Sequence, residues 1–253
     1  MKIKQIAQIL YDWNPIDRKS NDGIVFGDEN AEVKKAAVCC IATCDVIKKA
    51  RAMGADLIIT HEPTFHKYSD CTENDIVAKA KRQLVEDAGI PILRIHDYAH
   101  YSKTDRIIEG VLKKLGWHGS FGGGRKFTFD ESKTIAEIKL NIEEKLGLGN
   151  IRICGALDNT VKSISMCLGA AGDETVLSEL AKNEIDAVVC GEITEWKSCE
   201  YARDAAQLGL KKSLFLLGHM GSEKAGMEHI CEYLCDNIAD VEFVYIDCGE
   251  VYS

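Results

Sequence analysis

Three short segments of the sequence carry a histidine close to a carboxylate, which is the ligand chemistry of zinc, manganese and non-haem iron sites. His61 is followed directly by Glu62, and His219 lies four residues before Glu223. The third segment, residues 96–100, holds two histidines and an aspartate. No motif for a nucleophilic serine or cysteine accompanies them. We therefore expect these segments to build a metal site.

The positions of these histidines along the chain favour the same hypothesis. Short apolar runs predict buried strands at residues 57–59, 90–95 and 214–217. They alternate with helical patterns, such as those at residues 73–88 and 223–237. This alternation is typical of βαβ units in a mainly parallel sheet. Binding sites in open α/β sheets form beyond the carboxyl ends of the strands. His61, His96 and His219 all fall at or just after such ends.

Spacing within the segments limits how the ligands can act. The adjacent side chains of His61 and Glu62 point in different directions, so they suit two metal ions better than one. His219 and Glu223 would face the same side if their segment is helical. The other histidines lie outside these patterns and are interpreted as ordinary solvated or hydrogen-bonded residues: His66, His118 and His229.

The composition excludes several classes of protein. The chain has 253 residues, 46% apolar and 28% charged, which is typical of globular proteins and predicts one large or two smaller domains. We find no apolar run of about 18 residues and no signal peptide, so we expect a cytoplasmic protein without a membrane partner. The net charge of −9 disfavours a nucleic-acid partner. An odd count of 11 cysteines predicts reduced thiols.

A glycine-rich stretch near the midpoint suggests where the chain divides. Residues 119–124 contain four glycines, and both halves of the chain show the α/β rhythm. The sequence therefore predicts an N-terminal lobe at residues 1–121 and a second lobe at residues 122–253. The C-terminal segment is expected to be able to pack back on the first lobe.

Several segments resemble the motifs of a known protein family. They lie at residues 12–14, 23–28, 54–63, 122–125 and 218–223. The clearest reads Gly-Ala-Asp-Leu-Ile-Ile-Thr-His-Glu-Pro and resembles the family pattern Gly-Ala-Asp-Leu-Ile-Ile-x-His-His-Pro. The last contains Gly-His-x-x-x-Glu, as the family does. The family is the NGG-one-interacting-factor-three-like family, whose members often carry the label GTP cyclohydrolase I type 2, and the similarity extends over essentially the whole chain.

The resemblance implies a fold, a site and an assembly. It implies two interlocked α/β lobes with mainly parallel sheets, a dinuclear metal centre in the cleft between them, and a toroidal homohexamer. The expected cofactors are divalent ions of iron, zinc or manganese, one or two per chain. The ligands carried over from the family motifs are His61, Glu62, His100, His219 and Glu223.

The chain departs from the family at two of these positions. Glu62 stands where the family has the second histidine of His-His-Pro, and His100 stands at the bridging aspartate of His-Thr-Asn-x-Asp. The two changes are reciprocal, so the numbers of imidazoles and carboxylates are roughly retained. An imidazole cannot bridge two ions through two oxygens, so the centre holds one metal unless Glu62 or Glu223 bridges. Asp97 is an alternative ligand from the same loop.

These observations leave three hypotheses for function. The first is metal-assisted hydrolysis of an unidentified small molecule, in which bound metal activates water. The second is a GTP cyclohydrolase-type ring opening, for which the sequence offers no strong phosphate motif. The third is a metal-binding or regulatory scaffold without turnover. An open coordination position facing a pocket would favour an enzyme, and a closed ligand shell a structural role.

Overall fold

The computed structural model describes residues 1–65 and 75–251. The elements in the N-terminal part are α1 (Ile3–Trp13), β1 (Gly23–Phe26), β2 (Lys35–Cys39), α2 (Cys44–Ala52), β3 (Leu57–Thr60), α3 (Ile76–Ala88), β4 (Ile92–Arg94), α4 (Asp97–His100) and α5 (Arg106–Leu115). Those that follow are β5 (Gly119–Phe121), β6 (Lys126–Thr134), α6 (Ile135–Leu146), β7 (Arg152–Gly155), β8 (Thr160–Cys167), α7 (Asp173–Leu180), β9 (Ala187–Cys190), a π-helical turn (Glu195–Cys199), α8 (Glu200–Gln207), β10 (Ser213–Leu216), α9 (His219–Asn237) and β11 (Glu242–Tyr245).

The chain forms two compact units. The first comprises Met1–Ile107 together with Gly226–Ser253, and the second comprises Ile108–Ala225. α3 begins at Ile76, because the Asp75 side chain caps it by accepting a hydrogen bond from the Ala78 N–H at 2.9 Å. Residues 66–74, which include His66 and the first two residues of the predicted helix at residues 73–88, lie outside the described part of the chain. No helix among the described residues is long and apolar enough to cross a membrane.

The sheet of the first unit has the strand order β1-β4-β3-β2-β11. β2, β3, β4 and β11 pair in parallel, and only β1 is antiparallel to its neighbour β4. All four residues of β3 are buried, as expected for a continuous apolar run in a parallel strand covered on both faces. α2 begins at a threonine cap: the Thr43 hydroxyl accepts a hydrogen bond from the Val46 N–H at 3.1 Å, and Asp45 lies in the first turn.

The sheet of the second unit has the order β5-β6-β8-β9-β10-β7. Parallel pairs join β8, β9 and β10 at its centre, and the antiparallel strands lie outside them. The predicted α/β class with mainly parallel sheets is confirmed. Residues 119–121, interpreted from the sequence as part of a glycine-rich break, form edge strand β5. Gly119 is required there, because a Cβ at this position would lie 2.1 Å from the Thr128 carbonyl oxygen.

The carboxyl ends of the strands hold the histidines. β3 and β4 lie side by side with Thr60 in register with Arg94, so His61 and His96 leave the same edge of the first sheet. In the second unit, β10 ends at Leu216 and α9 begins at His219. α9 therefore starts before the predicted residue 223, and both His219 and Glu223 lie near its N-terminus.

Candidate metal centre

Three histidine rings of the first unit converge at the ends of β3 and β4. His61 is fully buried, and the side chains of His96 and His100 are 17% and 15% exposed. The ring centroid of His61 lies 4.6 Å from that of His96 and 4.9 Å from that of His100. Each ring offers a nitrogen within 4.8 Å of the other two. This cluster, named here the histidine cluster, consists of His61, His96 and His100.

The outer nitrogen of each ring is fixed by an oxygen. His61 Nδ1 lies 2.9 Å from the Ile95 carbonyl oxygen. His96 Nδ1 lies 3.0 Å from a carboxylate oxygen of Asp97, and His100 Nδ1 lies 2.9 Å from one of Asp105. Since a carbonyl or a carboxylate can only accept, each Nδ1 donates its proton. In this tautomer, each ring without a second proton presents its Nε2 lone pair to the interior of the cluster, as metal-ligating histidines do.

The contact between His61 and His100 tests whether this donor set fits a metal ion. Their Nε2 atoms lie 3.0 Å apart. With both Nδ1 atoms protonated, two lone pairs face each other across this distance, which is repulsive. A proton on one ring, or a cation that accepts both lone pairs, relieves the repulsion. The residues present therefore fit a divalent ion.

Glu62 adds a carboxylate to the Nε2 side of the cluster. Its Oε1 lies 3.9 Å from His61 Nε2 and 3.8 Å from His96 Nε2, and its side chain is 12% exposed. Nitrogen and carboxylate ligands together suit zinc, iron and manganese ions. The sequence-based grouping of His61, Glu62 and His100 is thus reproduced within one unit.

A reciprocal set of hydrogen bonds fixes the segment that carries His96 and His100. The Asp22 carboxylate accepts from the backbone N–H groups of His96 at 2.8 Å and Tyr98 at 3.0 Å. In return, Asp97 accepts from the Asn21 N–H at 3.0 Å. Burial raises the pKa of Asp97, but the hydrogen bonds from Asn21 and His96 outweigh it and leave the pKa below its ordinary value. Asp97 is therefore a charged acceptor for the His96 ring, with both oxygens engaged.

Two buried cations hold the loop after β3. Arg94 is 4% exposed, and its Nε donates to the His61 carbonyl oxygen at 3.2 Å. Lys81 is 3% exposed, and its ammonium donates to the Thr64 carbonyl oxygen. Burial lowers the pKa of Lys81 below its ordinary value. These donors fix the backbone on both sides of Glu62, which reduces the freedom of the His61–Glu62 pair.

The second unit holds a histidine–glutamate pair of its own at the start of α9. His219 Nε2 lies 3.2 Å from a carboxylate oxygen of Glu223, whose side chain is 2% exposed. His219 Nδ1 lies 3.1 Å from a carboxylate oxygen of the exposed Glu192. The helical spacing expected for His219 and Glu223 is therefore present.

Gly169 makes room for this pair. Its φ is +58°, and a Cβ on it would lie 2.0 Å from a carboxylate oxygen of Glu223. Its N–H donates to the Ser222 hydroxyl at 2.9 Å. The absence of a side chain at Gly169 thus allows the close approach of Glu223.

Sequence reasoning left two contributors out of the site. His96 was noted at its strand end but was not chosen as a ligand, and Asp105, which orients His100, was not considered. The signal for His96 was present in the sequence, because it follows β4 much as His61 follows β3. No sequence signal identifies Asp105, since its role depends on how the chain turns between α4 and α5.

The two α/β units, with a cluster of imidazoles and a carboxylate at the strand ends of the first, define an α/β protein with a metal-capable site. The comparison with protein families is specific: the model for Duf34/NIF3 (NGG1p interacting factor 3) matches residues 1–250. The chain belongs to this family, as the motif resemblance predicted.

Relatives and solved structures agree with this assignment. A Clostridium perfringens protein named GTP cyclohydrolase 1 type 2 homolog is 27% identical over 259 residues, which cover 96% of this chain and 95% of that protein. A solved Bacillus cereus protein related to NIF3 has a TM-score of 0.78 at 15% identity, covering 99% of this chain and 98% of that one. A Staphylococcus aureus hypothetical protein has a TM-score of 0.76 at 19% identity, with 99% and 97% covered. At these identities the solved structures support the fold alone.

Proposed function

We propose that the protein is a metal-dependent hydrolase that acts on a small molecule. The observation that carries the proposal is the histidine cluster, whose three Nδ1 atoms each donate to an oxygen so that the Nε2 lone pairs converge beside Glu62. A divalent ion in such a site acts as a Lewis acid and lowers the pKa of water.

The residues of this chain would perform two tasks in that reaction. The imidazoles hold the ion in a fixed place, because each ring is oriented by its own acceptor. Glu62 is the carboxylate on the Nε2 side, and its partial exposure leaves it accessible to water. Where Glu62 is not itself a ligand, it is the group that would accept a proton from the attacking water.

The proposed ligands are His61, Glu62, His100, His219 and Glu223. The first three are supported by the convergence in the first unit, and the last two by their pairing in the second together with the family resemblance. We propose one or two ions of iron, zinc or manganese per chain, a dinuclear centre being the arrangement implied by the family.

The proposal is tested by removing and restoring the metal. Protein stripped with a chelator and protein reloaded with Zn²⁺, Mn²⁺ or Fe²⁺ are assayed against a panel of esters, phosphate esters and cyclic amides. We expect hydrolysis of at least one class by the reloaded protein, none by the stripped protein, and none by reloaded His61→Ala. Reloaded wild-type protein that binds metal but turns over no member of the panel would favour the non-catalytic scaffold.

The name of the relatives supports a second candidate, hydrolytic ring opening of GTP. Proteins 24–28% identical to this chain carry the name GTP cyclohydrolase 1 type 2 homolog. Incubation of the reloaded protein with GTP, followed by ultraviolet spectroscopy and mass spectrometry, should then show loss of the purine ring and gain of water. An unchanged GTP spectrum rejects this candidate and leaves the general hydrolase proposal standing.

The assembly and location are proposed on the family resemblance and on cysteine usage. We propose a homohexamer in the cytoplasm, with reduced thiols. Light scattering at micromolar concentration should give six times the chain mass, and a monomer at that concentration rejects the hexamer. Thiol titration under denaturing, non-reducing conditions should count close to the 11 cysteines of the sequence.

A further inference from the structure

We infer that His96 is an additional ligand of this centre, and that the resulting excess of imidazole selects borderline ions such as Zn²⁺ over harder ions such as Mn²⁺. The inference rests on the metal binding proposed above. It extends that proposal, because the ligand set implied by the family motifs takes only His100 from the segment at residues 96–100.

The His96 ring lies beside the rings of His61 and His100 and close to the Glu62 carboxylate. Its ring stacks on His61 at 4.6 Å between centroids, with 27° between the planes. Its centroid lies 4.9 Å from that of His100, with 65° between the two ring planes. Its Nε2 is 3.8 Å from the same Oε1 of Glu62 that lies near His61. Each of the three rings therefore offers one nitrogen, and these nitrogens all lie within 4.8 Å of one another.

The hydrogen bonds of His96 are those expected of a ligand. Its Nδ1 donates to Asp97, and Asp97 is itself held by the Asn21 N–H. Asp22 fixes the backbone N–H of His96 at 2.8 Å. Ring, orienting carboxylate and backbone are thus all constrained, which is the arrangement that pre-organises a metal-binding imidazole.

The chemistry of the donor set predicts the preferred ion. Three imidazoles and one carboxylate surround the interior of the cluster in the first unit. Imidazole nitrogen suits zinc, copper, nickel and iron, whereas carboxylate and water suit magnesium, calcium and manganese. The exchange at Glu62 and His100 leaves the numbers of imidazoles and carboxylates roughly unchanged, so the shift of the ligand set toward nitrogen comes from His96.

The test measures binding of Zn²⁺ alone and of Mn²⁺ alone by competition with a chelator. We expect His96→Ala to lower the Zn²⁺ affinity by about tenfold or more and the Mn²⁺ affinity by less. His96→Asp should shift the ratio of Zn²⁺ to Mn²⁺ affinity toward manganese by about tenfold. His118→Ala, which removes an exposed histidine of the second unit, is the matched control and should leave both affinities unchanged. Circular dichroism and thermal unfolding of the metal-free proteins check that each variant folds.

A second measurement counts the imidazoles directly. X-ray absorption of the Zn²⁺-loaded wild-type protein should show scattering from more imidazoles per ion than that of Zn²⁺-loaded His96→Ala, and an equal number in the two proteins overturns the inference. Unchanged Zn²⁺ affinity in folded His96→Ala, or an unchanged Zn²⁺ to Mn²⁺ ratio in folded His96→Asp, also overturns it. Wild-type protein that binds neither ion rejects the proposed function itself, which is a separate result from the failure of His96 alone.

Discussion

The proposed ligands of the two units differ in kind. In the first unit, three imidazoles and Glu62 come from the segments that follow β3 and β4, and each imidazole is oriented by an oxygen acceptor. In the second unit, one imidazole and one carboxylate come from the first turns of α9, and His219 Nδ1 lies 3.1 Å from a carboxylate oxygen of Glu192, whose side chain is 60% exposed. The first set is therefore richer in nitrogen and more firmly held. Pre-organised ligands lose less freedom on binding, so the first unit should dominate metal affinity.

The largest effect should come from removing a ring of the first unit. His61→Ala should lower Zn²⁺ affinity by more than about 100-fold, because loss of a ligand should exceed the about 10- to 100-fold cost of losing an outer-shell partner. His219→Ala should lower it by less, since His219 has the more exposed orienting partner. Chelator competition on both folded variants measures the difference. An equal loss, or a greater one in His219→Ala, would contradict the unequal roles of the two units.

The reciprocal exchange at Glu62 and His100 gives a sharper test within the first unit. Glu62→His should weaken binding, because it leaves less negative charge beside the ion. His100→Asp should favour manganese or magnesium. The double variant restores the family's ligand set, so it should bind metal better than Glu62→His alone. Since residues at one centre interact, the two single effects should not add. Additive losses, with the double variant weakest, would show that the positions do not share a metal.

Weakening the hydrogen bonds that hold the segment carrying His96 should have an intermediate effect on metal affinity. Asp22→Asn keeps the shape of the side chain but turns an amide NH₂ toward one of two backbone N–H donors. We expect Zn²⁺ affinity to fall by about tenfold, the lower end of the range for outer-shell partners. Asp28→Asn is the matched control, because Asp28 accepts from the Asn30 N–H at 2.9 Å within its own exposed turn. Isothermal titration measures the Zn²⁺ affinity of both variants. Equal affinities would show that the Asp22 hydrogen bonds do not support metal binding.

The smallest effect should be one on stability alone. Thr134 caps α6 in the second unit, accepting from the Glu137 N–H while Glu137 accepts from the Thr134 N–H. Thr134→Ala should cost about 1 kcal/mol of unfolding free energy, and metal affinity should stay unchanged. Denaturant unfolding of the metal-free protein measures the first and chelator competition the second. A change in metal affinity here would mean that general destabilisation, and not ligand loss, explains the other variants.

The predicted strands β3, β4 and β10 were found where the sequence placed them, because continuous apolar runs need burial on both faces. β1 and β7 were not predicted. Both lie at sheet edges, where four-residue strands carry little periodic signal. The start of α9 was placed four residues late, since the glycines at positions 218 and 221 interrupt the helical pattern. That start matters, because the pairing of His219 with Glu223 depends on it.

The sequence predicts the part of the candidate site that strand ends and family motifs identify. His61, Glu62 and His100 could be chosen from position and resemblance, and the structure brings them together. The choice of His96 depended on its ring orientation, which is set by Asp97 and by contacts from residues 21 and 22. These contacts join parts of the chain about 75 residues apart, and no local pattern encodes them.

Metal binding by the histidine cluster is tested most directly by the metal content of protein loaded with Zn²⁺. Elemental analysis is made on the wild-type protein and on the double variant His61→Ala with His100→Ala, each after dialysis against excess Zn²⁺ and removal of unbound ion. We expect one or two ions per chain in the wild-type protein and close to none in the folded double variant. Wild-type protein without metal, or a double variant that retains the wild-type content, would contradict the claim that the histidine cluster binds a divalent ion.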